Sequence, residues 1–217
     1  MAAYRMIATA GEHRAEIEVR RSRFIATVAR VATETDARAA IDRLRTEHWQ
    51  ASHHCSAWRI GEGGRSQRSS DDGEPSGTAG IPMLEVLKRR DVTDVVAIVT
   101  RYFGGTLLGA GGLIRAYGQV VTAVLDEVGI VERRPLSVVA VRARHQDAGR
   151  LDNALRMTDY TLGGVTYAER VTFELYLSEE ELPDFTAWLA ETTGGRSVPE
   201  VVGTRFVEVP VGEEDAG

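Results

Sequence analysis

The stretch DVVAIVTRYFGGTLLGAGGLIRAYG, residues 94 to 118, changes its periodicity in the middle, and that change decides the fold class. Asp94 to Phe103 is an almost unbroken β-branched and aromatic run, the pattern of a buried strand. The far end opens LIRAYGQVVTAVLDEV (113 to 128), where apolar residues recur at helical spacing. Between the two stand Gly104, Gly105, Gly109, Gly111 and Gly112. Glycine loses more conformational freedom on folding than other residues, and it is kept where the chain needs positive φ or where another group must come close to the backbone. A strand, a glycine loop and a helix start predict a mixed α and β domain. They also offer an anion site, because N–H groups without partners gather at a helix N-terminus.

A second glycine-dense segment lies upstream, SSDDGEPSGTAG at 69 to 80, and leads into the apolar-periodic IPMLEVLKRR. Asp71, Asp72 and Glu74 surround Gly73, and Ser76 and Thr78 follow Pro75. Acids and hydroxyls just before a helix can accept from its first N–H groups and complement its positive end, so a capped turn is one reading. Three carboxylates in four positions repel one another unless they are solvated, paired with arginine, or bound to a hard cation such as Mg²⁺. No metal ligand is assigned from these residues.

The two segments flank neighbouring elements and are expected to meet in one cleft. The spacing of the second fits no standard nucleotide fingerprint. From Gly104 a P-loop needs lysine at 110, where Ala110 stands; from Gly109 the dinucleotide pattern needs glycine at 114, where Ile114 stands. What remains is a generic anion pocket, with Arg101 and Arg115 adding charge and Tyr102 and Tyr117 adding flat apolar surface. The competing reading is that the glycines only let a helix pack on a sheet, while the arginines neutralise Asp71, Asp72 and Glu74.

DDGEPSGTAG followed by RYFGGTLLGAGGLIRAYG closely resembles the signature of the Impact/YigZ family, in its bacterial two-domain form. The SRFI run at Ser22 to Ile25, the AWRI strand and the His53-x-Cys55-x-Ala57 pattern fall where that family has counterparts. The resemblance covers about residues 15 to 130 strongly, and the remainder is similar to the small second domain of the bacterial members. It implies an α+β protein whose first domain is folded like the second domain of a small-subunit ribosomal protein. The implied second domain is ferredoxin-like, similar to one in translocating elongation factors. It implies a link to translation or nucleic acid. Eukaryotic members restrain activation of a starvation-responsive translation-factor kinase, using an additional N-terminal domain that is not expected in this chain.

Bulk composition agrees with a two-domain globular protein. The chain has 217 residues, 43% hydrophobic, enough for one large core or two small ones. No apolar run approaches the length of a membrane span, and MAAYRMIATAGEHR lacks the layout of a signal peptide, so a cytoplasmic location without membrane contact is expected. Cys55 is the only cysteine, which excludes an internal disulfide and a cysteine-rich zinc site. Residues 1 to 134 carry 19 Lys and Arg against 17 Asp and Glu, while 135 to 217 carry 7 against 15. Nucleic-acid affinity comes largely from neutralised phosphates, so a ribosome, RNA or translation-regulatory partner is expected on residues 1 to 134 rather than on the C-terminal half alone. Arginine outnumbers lysine 25 to 1, but the arginines are spread over both halves and form no compact run.

Along the chain, AEIEVR (15 to 20) and RFIATVARV (23 to 31) alternate as strands. TETDARAAIDRLRTEHW (33 to 49) reads as an amphipathic helix with Ala39, Ala40, Ile41, Leu44 and Trp49 inward. His53 to Ile60 is a third strand, GEGGRSQRSS (61 to 70) a mobile loop, 82 to 90 a helix. These elements make a first domain of residues 1 to 134, with Arg133 to Pro135 as a short linker. Residues 135 to 210 then alternate β-α-β-β-α-β, a ferredoxin-like order, with Ser178 and Glu181 as a capping box, and 211 to 217 form a disordered tail. In a strand His53 and Cys55 share one face and His54 the other, so the three cannot bind one ion from regular geometry. A Cys55 nucleophile lacks a third orienting group, and Ser76 or Thr78 lacks an elbow and a base.

Three classes stay open. One is a non-catalytic regulatory or translation-linked binding protein, which the resemblance favours. The others are a nucleic-acid binder and a small-molecule enzyme, the latter with phosphate at Gly109 to Gly112 and Mg²⁺ near Asp71 and Asp72. No catalytic residue and no cofactor is named.

Overall fold

In the computed structural model of the chain, residues 3–211 are described. They fall in two compact units, one running to Arg133 and taking in the chain from Glu208, the other Arg134–Val207. The first contains β1 (Tyr4–Ile7), β2 (His13–Val19), β3 (Ser22–Arg30), α1 (Glu34–Glu47), β4 (His53–Ile60), β5 (Ser66–Ser70), α2 (Gly80–Arg89), β6 (Val95–Tyr102) and α3 (Ala110–Val128). β7 (Ile130–Ala143) crosses the boundary between the units.

In the first unit the sheet order is β2-β3-β6-β4-β5, with every neighbouring pair antiparallel. β6 is central and buried on both faces, which is why its sequence is a continuous apolar run and not an alternation. Its odd positions Val95, Ala97 and Val99 join Cys55 and Ala57 under α2 and α3; its even positions Val96 and Ile98 join Trp58 and Ile60 under α1. α3 buries Leu113, Ala116, Tyr117, Val120, Val121, Val124, Leu125 and Val128. Each large apolar side chain so buried contributes about 1.5–3 kcal/mol. α1 starts at a capping box in which Thr33 and Asp36 exchange hydrogen bonds.

The second unit holds the later part of β7, then α4 (His145–Arg156), β8 (Thr161–Tyr167), β9 (Val171–Leu177), α5 (Glu181–Thr193) and β10 (Pro199–Pro210) as far as Val207. Its strands lie in the order β10-β7-β9-β8. β9 runs antiparallel to β7, with Val141 opposite Phe173, and antiparallel to β8, with Val165 opposite Phe173. β9 alternates buried and half-buried residues, and Phe173 and Leu175 pack with Leu151, Leu155, Phe185 and Leu189. Ser178 and Glu181 form the capping box at the start of α5, through Glu181 N to Ser178 Oγ (3.2 Å) and Ser178 N to Glu181 Oε2 (2.7 Å).

The mixed α and β composition follows the sequence reading, and several details depart from it. Residues 61 to 70 are not a loop throughout: Ser66–Ser70 is an edge strand, because its backbone pairs with β4 while its polar side chains face water. Trp49 is 75% exposed, because it lies beyond the end of α1 at Glu47, and Ala39 is exposed as well; the helix buries Ala37, Ile41 and Leu44. Arg133 to Pro135, expected as a short linker, is extended strand within β7; Pro135, without an N–H to give, sits between the register with β1 and that with β9. Of the expected tail, residues 212 to 217 lie outside the described residues.

Candidate functional site

The segment 71 to 74 distributes its three carboxylates to three different sets of donors. Asp71 turns toward the start of α2, where its carboxylate accepts from the N–H groups of Gly77 (2.8 Å), Ala79 (3.0 Å) and Gly80 (2.8 Å). Burial pushes its carboxyl upward, but those three backbone donors outweigh burial and hold it below the ordinary aspartate value. Asp72, at φ 44, accepts from His54 N (2.6 Å) and from Arg45 Nη2 (2.6 Å), and its carbonyl accepts from His53 Nδ1 (2.9 Å). Glu74 points inward, its side chain 3% exposed. Their mutual repulsion is thus relieved by separation and pairing.

Glu74 Oε1 accepts from Arg101 Nη1 at 2.6 Å and from Tyr117 Oη at 2.7 Å. Arg101, itself 5% exposed, reaches Ser22 Oγ at 3.3 Å, and its guanidinium carbon lies 5.2 Å from the Phe24 ring centre and 5.5 Å from that of Phe103. Cys55 Sγ lies 3.0 Å from the Asp71 carbonyl and 3.2 Å from Tyr117 Oη. Burial pushes the Cys55 thiol up to about 12, and burial with the neighbouring Cys55 drives Tyr117 far above its ordinary range. Both stay protonated at neutral pH, so neither is an activated nucleophile or base.

The glycine loop is held over this pair by the β2–β3 hairpin. Arg20 and Arg21 occupy its two-residue turn at φ 48 and 65, a conformation that favours glycine and asparagine. Arg20 Nη1 donates to the Leu107 carbonyl (3.2 Å) and Arg21 Nη2 to Thr106 Oγ1 (2.9 Å). Gly104 passes so close that a Cβ there would lie 2.0 Å from the Arg21 carbonyl oxygen. Its N–H donates to Ser22 Oγ at 3.2 Å. The strained turn thereby fixes the loop that forms the cleft wall.

The result is a cleft of about 400 Å³ between the two glycine-dense segments. Phe103, Leu107, Leu108 and Leu113 form apolar walls, with His53, Glu74 and Arg101 at the polar side. His53 Nε2 stands 3.9 Å from Glu74 Oε2. Phe103 is 48% and Leu107 81% exposed, an apolar rim open to solvent.

Of the residues singled out in the sequence, Glu74, Arg101 and Gly109 line this cleft, and Tyr117 lies behind it as a partner of Glu74. Tyr102 points to the opposite face of the sheet, by strand alternation, and pairs with His48 Nδ1 at 2.9 Å. Ser76 is exposed, and Thr78 is buried with its hydroxyl on the Pro75 carbonyl (2.7 Å). Gly105 and Gly109 adopt positive φ. Gly111 and Gly112 form the first turn of α3, but Gly112 N already donates to Gly109 O at 3.1 Å. Arg115 is exposed on α3 and is not among the residues lining the cleft. The arginine pair expected to hold an anion is therefore split, and its buried member is neutralised by Glu74. Ser22, Phe103, Leu107 and Leu108 escaped the sequence reading as site residues; the adjacent apolar pair Leu107-Leu108 inside a glycine loop was the one signal for the cleft wall.

Fold and site together define a two-unit protein of mixed α and β structure, with an apolar cleft set over a buried ion pair. Residues 20–125 match the Impact N-terminal domain, and 141–196 match a domain of unknown function, DUF1949. The IMPACT family member YvyE of Bacillus subtilis is 47% identical over 194 residues, 89% of this chain and 88% of that protein. The crystal structure of a hypothetical protein is 31% identical, with a TM-score of 0.58, over 94% of this chain and 98% of its own. A structure described as the two-domain translational regulator Yih1 is 32% identical over 55% of this chain and 48% of its own, at a TM-score of 0.40. The chain belongs to the Impact family. Among the described residues no helix is long and apolar enough to cross a membrane.

Proposed function

We propose that this chain is a non-catalytic, translation-linked regulatory protein that seats a partner segment in the cleft of its first unit. The observation that carries this reading is the pairing of an exposed apolar rim, Phe103 and Leu107, with a polar side whose charges are already satisfied by Glu74 and Arg101. Such a surface attracts an apolar side chain from a protein partner; a phosphate would find the Arg101 charge already neutralised. The protonated Cys55 and Tyr117 favour binding over chemistry. Translation enters through the family resemblance, with the partner expected in the translation machinery of the cytoplasm. The finer fold assignments belong to the same reading. The β10-β7-β9-β8 order over a β-α-β-β-α-β chain supports a ferredoxin-like second domain from about Pro135 to Pro210. The first domain, to Arg134, is assigned by resemblance to the second domain of a small-subunit ribosomal protein.

The test is affinity capture from native lysate with and without nuclease, comparing the wild type with Leu107→Asp. A translation component retained by the wild type after nuclease treatment and lost from the variant supports the reading. Capture that Leu107→Asp leaves unchanged, or that disappears with nuclease, overturns it.

A further inference from the structure

The second unit gathers its positive charge in one place. Residues 134 to 207 carry eight Lys and Arg against 11 Asp and Glu. Five of those eight, Arg142, Arg144, Arg150, Arg170 and Arg196, line a single pocket of about 230 Å³. They come from β7, the N-cap of α4, the body of α4, the turn before β9 and the chain after α5, so no run in the sequence reveals them.

The ion pairs leave much of this charge unbalanced. Asp147 lies 3.0 Å from Arg144 and 4.0 Å from Arg196, and Glu200 pairs with Arg142. Arg150 donates to the neutral carbonyl of Thr192 at 3.1 Å, and Arg170 has no carboxylate partner among the described residues. Two carboxylates thus face five guanidinium groups in an otherwise acidic unit. Holding like charges together costs free energy that a bound anion would recover. The pocket frame is fixed from within, since buried Ser197 donates its hydroxyl to the Arg142 carbonyl at 3.0 Å.

We propose that this pocket binds a compact, multiply charged phosphate anion of the diphosphate class. Planar guanidinium forks arriving from several directions suit tetrahedral oxyanions, which offer acceptor pairs on every side. The volume is below the roughly 300–1,000 Å³ of pockets that enclose drug-sized organic ligands, so it suits the phosphate groups and leaves a nucleoside outside. This site lies in the other unit from the cleft, and its success or failure leaves the proposed function untouched.

The experiment is calorimetric titration of the full-length chain at low salt with inorganic pyrophosphate, ADP and a 12-nucleotide RNA. The variants are Arg170→Gln, Arg150→Gln/Arg170→Gln and, as a charge-matched control outside the pocket, Arg156→Gln/Arg205→Gln; circular dichroism checks their folding. Saturable pyrophosphate binding, weakened about tenfold or more in the double pocket variant and unchanged in the control, is expected. Arg170→Gln, whose side chain has no hydrogen bond or ion pair among the described residues, should weaken it in the same direction. ADP binding as tight as pyrophosphate identifies a nucleoside diphosphate as the source of the same group. Three outcomes each overturn the proposal: no saturation below about 5 mM, equal weakening in the control, or binding of RNA alone.

Discussion

Removing one member of the Glu74–Arg101 pair should destabilise the first unit strongly, and removing both should cost about 2 kcal/mol less than the sum. Both side chains are almost fully buried, at 3% and 5% exposure, and their 2.6 Å hydrogen bond is supported on one side by Tyr117 and on the other by Ser22. Arg101 Nε has no hydrogen-bond partner among the described residues, so the guanidinium has little else to turn to if Glu74 loses its charge. Breaking a buried pair by changing one partner costs about 3–5 kcal/mol, because the other charge is left without compensation. Glu74→Gln and Arg101→Met should each fall near that range, and the double variant should recover about 2 kcal/mol of their sum. A urea titration read by thiol labelling reports this unit alone. Cys55 is the only cysteine in the chain, is buried, and has its thiol pushed up to about 12, so it reacts only when its surroundings open. With a slope of about 2 kcal/mol per molar urea, each single variant should lower the midpoint by roughly 1.5–2.5 M. Single changes costing under about 1 kcal/mol, or a double change equal to the sum, would refute the view that the pair is a buried, coupled unit.

Asp71→Asn should cost about 1–2 kcal/mol at neutral pH by weakening three backbone hydrogen bonds at the start of α2. The folded aspartate is held below its ordinary value. Its contribution is therefore complete above the unfolded value of about 4, and is lost as pH falls through the lower folded value. The difference between wild type and variant, followed by denaturation at several pH values, should shrink in acid; a constant difference would argue against the assignment. Gly104→Ala should cost about 3 kcal/mol or more, because the new methyl meets the Arg21 backbone at 2.0 Å. Gly105→Ala, at φ 81 but with nothing within 4 Å, should cost only about 1–2 kcal/mol. Thermal unfolding that ranks the two in reverse would refute the close approach as the constraint on Gly104, whose φ is not in the left-handed region.

What the sequence made legible was local. A continuous apolar run announced β6, and the change to helical spacing announced α3, because each pattern spans one element. The glycine loop announced a close approach, and at Gly104 the neighbour turns out to be the Arg21 carbonyl. Side-chain partnerships at long range were not legible. Three adjacent acids looked like one cluster, yet Asp71, Asp72 and Glu74 serve three different neighbours. Their directions depend on Asp72 and Gly73 both taking positive φ. Arg101 and Tyr102 were adjacent candidates, and strand alternation sent them to opposite faces. Ser66–Ser70 carried no apolar signal at all, because an edge strand can be held by its backbone alone. The arginines lining the second unit's pocket come from five places in the chain, and only folding brings them together.

The central position of β6 also sets an order for the growing chain. Its partners β3 and β4 precede it, and β3 ends about 65 residues before β6 begins. At roughly 5–20 residues per second, the ribosome takes about 3–13 seconds to cover that interval. During that time β2–β3 and β4–β5 can form only as separate hairpins, each with one edge still waiting for a partner. A single strand arriving late closes both edges, which makes completion of the sheet an all-or-none event dated by the emergence of Tyr102. Nascent chains stalled before that point should be protease-sensitive as a whole, and those stalled well after it resistant.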